Sequence, residues 1–273
     1  MRHLPLALLA AAAAAARAAA ATAPANATPP AAAAAPGPAQ DGRTIQRGVL
    51  RPGIGAADPR RPVDVRAEPW SALGRVQLEV GGRCTGVLVG PRTVLTAAHC
   101  LFGPRSRQVV RPGTVHFLLG YHLGEWSARA RVVSFTMGEG FALDRDSPFG
   151  GPLGADWALL TLDAPLGEGR ALRLRRDAPQ SGTGLMFAGY QQDRPEALLA
   201  DTGCRAIGLQ QGARNLPLLA HGCAGTRGAS GAPLLARGRD GKWEVVGVAS
   251  AMSAGAAQGV AVPAGTLPAA LLP

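Results

Sequence analysis

Apolar residues in this chain recur in short runs, each closed by Gly, Pro or Asp. One set falls at 75–80, 84–89, 93–97, 115–119, 128–135 and 157–162. A second falls at 185–189, 204–209, 216–221, 232–236, 243–250 and 259–262. Runs of this length between turn residues read as strands rather than helices. Their even spacing predicts an all-β barrel or sandwich, and a closed barrel removes exposed strand edges. About six runs lie on either side of 165–179, a split consistent with two barrels. Residues 264–272 read as a short C-terminal helix, limited by Pro268. No internal repeat is visible.

The pattern differs before residue 64. Met1-Arg2-His3 is a short basic start, 4–16 is apolar, and small residues suited to cleavage follow at 21–23 and 25–27. This predicts a signal peptide over 1–23, despite Arg17 at the end of the apolar stretch. The run is too short to span a membrane comfortably, so no stable membrane insertion is expected. Residues 24–40 are Ala/Pro-rich and 41–63 are rich in Arg, Gly and Pro. The whole of 24–63 therefore reads as a disordered N-terminal leader or an extended arm. The compact unit is assigned to 64–273, with a first barrel at about 70–165 and a second at about 180–263. Trp70 is its first large apolar anchor.

Composition refines this picture. Apolar residues make up 47% and aromatics only 4%, so the core must be built mostly of Ala, Val and Leu. The net charge of +10 comes almost wholly from arginine, since Lys242 is the only lysine. The arginines are scattered and have no aromatic stacking platform beside them, which argues against a nucleic-acid partner. Four cysteines suit an oxidising, secreted or periplasmic location and allow three pairings. The local pairings are Cys84 with Cys100 and Cys204 with Cys223. Each would close a modest loop and contribute roughly 3 kcal/mol by constraining the unfolded chain. A zinc site is disfavoured, because no C-x-x-C spacing occurs and His99 has a better use. Neither a metal nor a cofactor is expected.

The chemistry concentrates in three segments. The first runs from Cys84 to Cys100 and ends on His99, a base fixed at the end of a buried strand. Asp156 precedes the apolar run Trp157-Ala158-Leu159-Leu160, where its carboxylate can be buried against a histidine. Ser230 lies in Gly228-Ala229-Ser230-Gly231. A serine hydroxyl needs a base within hydrogen-bond reach, and that base needs a partner to fix its tautomer. An α/β-hydrolase site is excluded, because position 232 is Ala232 rather than glycine and the serine comes last.

These segments, in the order His, Asp, Ser, resemble the chymotrypsin-like serine peptidases over about 70–262. The nearest likeness is to the secreted bacterial branch that includes the glutamyl endopeptidases. That likeness rests on His221-Gly222-Cys223, on Val245-Val246-Gly247-Val248 and on Gly259-Val260-Ala261-Val262-Pro263. The resemblance implies two six-stranded antiparallel barrels packed face to face, with the cleft between them. It implies a monomeric endopeptidase acting on proteins or peptides, with catalytic His99, Asp156 and Ser230. The backbone N–H groups of Gly228 and Ser230 would form the oxyanion hole. A catalytically silent binding protein of the same fold is the alternative.

Departures from the family pattern bear on specificity. Ala229 stands where animal trypsins carry an aspartate that pairs with a freed N-terminal amine. Ala224 stands at the expected pocket base, without the trypsin aspartate. Ala249 stands where the glutamyl branch places a histidine. Ala224, Arg227, Ala249 and Ser250 are thus the expected substrate-binding positions. They predict a neutral preference at the residue before the cleaved bond, with Arg227 the one positive charge at the rim.

Overall fold

The structure is a computed structural model that describes residues 52–143, 151–166 and 168–271. The signal expected at 1–23 and most of the leader lie outside the described residues. In chain order the strands are β1 (Arg61–Pro62), β2 (Leu73–Leu78), β3 (Arg83–Leu88), β4 (Thr93–Thr96), β5 (Val115–Leu119), β6 (Ala128–Met137) and β7 (Ala158–Leu162). They continue as β8 (Arg173–Leu174), β9 (Gly184–Tyr190), β10 (Leu198–Gln211), β11 (Pro217–His221), β12 (Pro233–Arg237), β13 (Trp243–Met252) and β14 (Gly259–Pro263).

The first six-stranded barrel closes in the order β2-β3-β4-β7-β6-β5. The second closes as β9-β10-β11-β14-β13-β12, because β12 and β10 both pair with β9. All pairs within the two barrels are antiparallel. β1 adds to β10, and β8 lies parallel to β13. The expected all-β architecture of two barrels is therefore present. Strand alternation explains how each barrel fills. In β5, Val115, Phe117 and Leu119 point inward and are fully buried while their neighbours are partly exposed. Phe117 has room because β2 and β3 carry Gly74 and Gly86; a Cβ on Gly74 would stand 2.5 Å from its ring.

A shared apolar layer joins the barrels. Leu73, Val87 and Leu95 of the first meet Tyr190, Leu198 and Val248 of the second in one buried cluster. Cys84 is bridged to Cys100 with a Cα–Cα distance of 6.0 Å, and Cys204 to Cys223 at 4.8 Å.

Three places differ from the pattern in the sequence. β10 begins at Leu198, before the run expected at 204–209, because Asp201-Thr202-Gly203 is a break in register within a strand and not a turn. The C-terminal segment is not one helix but two 3₁₀ turns, Ala264–Thr266 and Ala269–Leu271, on either side of Pro268. Residues 52–63, which show no apolar periodicity, form an arm laid on the second barrel. Ile54 is 2% exposed, and the Val63 N–H donates to the Leu198 carbonyl at 3.2 Å.

His221 ends β11 with no solvent exposure, its ring 5.6 Å from that of Phe187. Its Nδ1 accepts the Cys223 N–H at 3.3 Å, while Nε2 has no partner. Burial pushes its pKa down to about 4, from an ordinary value of 6.5. The unfolded chain then binds an extra proton between those values, so His221 contributes stability above pH 6.5 that is lost as pH falls toward 4. Denaturant titrations of wild type should show this loss between pH 6.5 and 4.5, and His221→Phe should flatten it. An equal acid sensitivity in the variant would refute the assignment.

Candidate active site

His99 sits in the 3₁₀ turn Ala98–Leu101, directly after β4. Its position is fixed from two directions. The backbone N–H donates to Asp156 Oδ1 at 2.9 Å, and the ring Nδ1 meets Asp156 Oδ2 at 2.7 Å. Asp156 follows the turn Leu153–Ala155 and lies two residues before the start of β7, with its side chain 1% exposed. A third donor, the Ser250 hydroxyl from β13, reaches Asp156 Oδ2 at 2.5 Å. The buried carboxylate thus accepts three hydrogen bonds, one of them from the second barrel. The same bonds hold the imidazole with Nδ1 toward the carboxylate, which leaves Nε2 as its remaining nitrogen. Burial disfavours the imidazolium, but the charge of Asp156 and its hydrogen bond outweigh this, so the His99 pKa lies above the ordinary histidine value.

Ser230 lies in the loop between β11 and β12, and the loop's backbone is pinned to the first barrel by Thr85 of β3. The Thr85 N–H donates to the Ser230 carbonyl at 2.9 Å. Its hydroxyl donates to the Gly228 carbonyl at 2.9 Å and accepts the Tyr190 N–H at 2.9 Å. The two glycines flanking this segment are required by space and by conformation. Gly228 has φ +91°, and a Cβ there would stand 2.2 Å from the Tyr190 carbonyl oxygen. Gly231 has φ +77°, and a Cβ there would stand 2.1 Å from the Thr96 hydroxyl.

His99, Asp156 and Ser230 line one cleft of about 680 Å³ between the barrels. Gly228, Arg227, Ala249 and Ser250 line it as well. Ala224 does not. It is fully buried, and its N–H donates to Asp201 Oδ2 at 2.9 Å. Ser250 has a second place, as the donor to Asp156 described above. Arg227 is exposed at the rim, and Arg83 lines the cleft with its Nε buried and without a hydrogen-bond partner. Cys84, Cys100 and His99 lie close together, but the two sulfurs are bonded to each other, which removes them as thiolate ligands. No helix among the described residues is long and apolar enough to cross a membrane.

Thr85, Asp201 and Gln191 were not singled out from sequence. Thr85 falls inside an apolar run, while Gln191 and Asp201 fall in the polar stretch between two runs. The hint for Thr85 is a hydroxyl in the otherwise apolar run after Cys84; nothing local marks Gln191 or Asp201 as partners of a loop so far along the chain.

Comparison with known proteins follows the same lines. The trypsin family model matches residues 60–268. A glutamyl endopeptidase of Bacillus licheniformis is 36% identical over 62 residues, which is 23% of this chain and 19% of that protein. The match therefore spans about a fifth of the relative's length. Among solved structures, a Glu endopeptidase in complex with MPD superposes with a TM-score of 0.60 at 19% identity, covering 77% of this chain and 94% of the other. The protease Anisep from Arthrobacter nicotinovorans gives 0.53 at 18%, covering 75% and 93%. Human heparin binding protein gives 0.56 at 21%, covering 76% and 91%. At these identities the structural likeness establishes the fold.

The Thr85 contacts make a direct test. Thr85→Val keeps the shape but strands the Gly228 carbonyl and the Tyr190 N–H, at about 1–3 kcal/mol for each group. Thr85→Ser should recover most of that loss. Chemical denaturation of the three proteins decides it, and a Val variant as stable as wild type would rule out the anchoring role.

Proposed function

The chain belongs to the trypsin family of serine proteases, and from that premise we propose that it is a secreted or periplasmic serine endopeptidase working through an acyl-enzyme. The observation that carries the reading is the His99–Asp156 pair, bonded at 2.7 Å, with the carboxylate buried and the imidazole on the cleft that Ser230 also lines. In this reading the Ser230 hydroxyl attacks the peptide carbonyl carbon and its proton passes to His99 Nε2. Asp156 keeps the tautomer and stabilises the imidazolium that forms. The negative charge on the carbonyl oxygen is met by the backbone N–H groups of Gly228 and Ser230. His99 then delivers its proton to the departing amine as the C–N bond breaks. Water, deprotonated by the same imidazole, attacks the ester carbonyl and releases Ser230.

The wall beside Ser230 is made of Ala249, Ser250 and Ala251 and offers no charge to a substrate side chain. Burying an unpaired charge against it is unfavourable. The preference at the residue before the cleaved bond is therefore for a small or medium neutral side chain. A peptide-library profile dominated by Glu, and abolished in Arg227→Ala, would replace that preference with an acidic one.

Catalysis is tested on the nucleophile. Wild type should be labelled at Ser230 by a fluorophosphonate, and Ser230→Ala should lose about 10⁶ in turnover while keeping its fold. Asp156→Asn should lose roughly 10⁴ through the wrong tautomer. The pH dependence has a definite sign. His99 must be neutral to accept a proton, and its pKa lies above 6.5, so kcat/KM should fall with acidification through a midpoint above that value. Absence of labelling in folded wild type would favour a silent binding protein instead.

A further inference from the structure

Ala229 offers the catalytic loop only a methyl group, so the loop has no side chain of its own next to Ser230 with which to fix its shape. Its backbone is held from outside. The Gly225 N–H donates to the Gly53 carbonyl at 2.8 Å, and the Arg227 carbonyl accepts the Gln192 N–H at 2.7 Å. Between these two, the Thr226 N–H donates to the Gln191 side-chain Oε1 at 2.7 Å. Gln191 follows β9 directly and has no solvent exposure.

That same Oε1 accepts a second hydrogen bond, from Arg60 Nη1 at 2.5 Å. Arg60 belongs to the arm before β1, and its side chain is fully buried. Each of its five N–H donors has an acceptor. Nε and Nη2 meet Asp58 at 2.9 Å each, Nη2 and Nη1 meet Asp193 at 2.6 and 3.1 Å, and Nη1 meets Gln191. The guanidinium holds both carboxyl groups below the usual aspartate range, so they stay charged around it. The arrangement also decides which way the Gln191 amide faces. Arg60 and Thr226 both present donors, so only the oxygen can stand between them. A flipped amide would set an NH₂ against a buried cation and against an N–H.

We propose that Arg60 is a positioning residue for catalysis, acting through Gln191 on Thr226 and the loop that carries Ser230, and that residues 58–60 are a permanent part of the working enzyme. This rests on the serine-endopeptidase reading given above. The chain of contacts is Asp58 and Asp193 to Arg60, Arg60 to Gln191, Gln191 to Thr226, and Thr226 through its carbonyl to the Ala229 N–H at 3.1 Å, one residue before the nucleophile. Maturation must then leave the N-terminus at or before Asp58. Removal of the arm as far as β1 would take the guanidinium away from Gln191, leaving the amide that holds Thr226 oriented only by Thr226 itself and by a long 3.5 Å bond from its Nε2 to the Leu199 carbonyl.

The decisive variants are at Gln191, because they leave Arg60 paired with both carboxylates and the arm in place. Gln191→Met removes the shared acceptor, and Gln191→Glu keeps it. The expected result is a fall in kcat of about 100-fold for Gln191→Met with KM nearly unchanged, the scale associated with a small misplacement of a catalytic group. Gln191→Glu should recover most of it, and Arg239→Ala, an exposed control, should match wild type. Hydrogen exchange in the Ser230→Ala background reads the loop without needing activity. Amides of 224–231 should exchange faster when Gln191→Met is added, while protection of β9 and β12 is kept. N-terminal sequencing of the secreted active enzyme should find a start at or before Asp58. Wild-type kcat and wild-type exchange in Gln191→Met, or a fully active enzyme beginning at or after Arg61, would overturn the proposal. If wild type is not labelled by a fluorophosphonate yet the exchange result holds, the catalytic reading fails and the latch stands.

Discussion

The structure depends on one constraint: the polar backbone around Ser230 is buried between two barrels and must find hydrogen-bond partners on both of them. Thr85 meets the share that falls to the first barrel from a single position, with its N–H on the Ser230 carbonyl and its hydroxyl between the Gly228 carbonyl and the Tyr190 N–H. Buried peptide groups without partners cost about 1–3 kcal/mol apiece, so the barrels cannot slide past each other without losing several such terms at once. The shared apolar layer supplies attraction between the barrels, which is largely non-directional. The hydrogen bonds of Thr85 supply the register that brings a serine from one barrel to a histidine from the other.

Asp156 makes a second link between the barrels. It takes two bonds from the His99 segment and one from Ser250 of the second barrel. A carboxylate this deeply buried is costly unless its lone pairs are used. Here the compensation is also what aims the imidazole. Ser250 thus has a double position, lining the cleft and bonding to Asp156, which no reading of it as a pocket-wall residue alone would supply.

The strands were readable because their alternation and their Gly, Pro and Asp boundaries are local signals, as in Val115, Phe117 and Leu119 of β5. His99, Asp156 and Ser230 were readable because each sits in a distinctive segment, and the structure brings all three to one cleft. What escaped is non-local or ambiguous. Asp201-Thr202-Gly203 has turn composition but lies in a bulged strand, where neighbours on β9 decide the conformation. Ala224 is expected at a pocket base by its spacing from Ser230, but nothing local marks Asp201 as the acceptor of its N–H. Arg60 lies in an aperiodic stretch, and its partners Gln191 and Asp193 are more than a hundred residues further along the chain.

The loop itself explains why its supports are so widely spread. Ala224-Gly225-Thr226-Arg227-Gly228-Ala229-Ser230-Gly231 contains no large apolar side chain, so it cannot hold a shape by packing alone. Three of its eight residues are glycines, which lose the most conformational freedom on ordering. The restraint comes from Gly53 in the arm, Thr85 in β3, Gln191 and Gln192 after β9, Asp201 in β10 and Ala249 in β13. Contacts of such long sequence separation form only after the intervening chain has closed. The geometry around Ser230 is therefore a product of the completed fold: neither barrel by itself contains the partners that the loop requires, and a chain with one barrel unformed has no site.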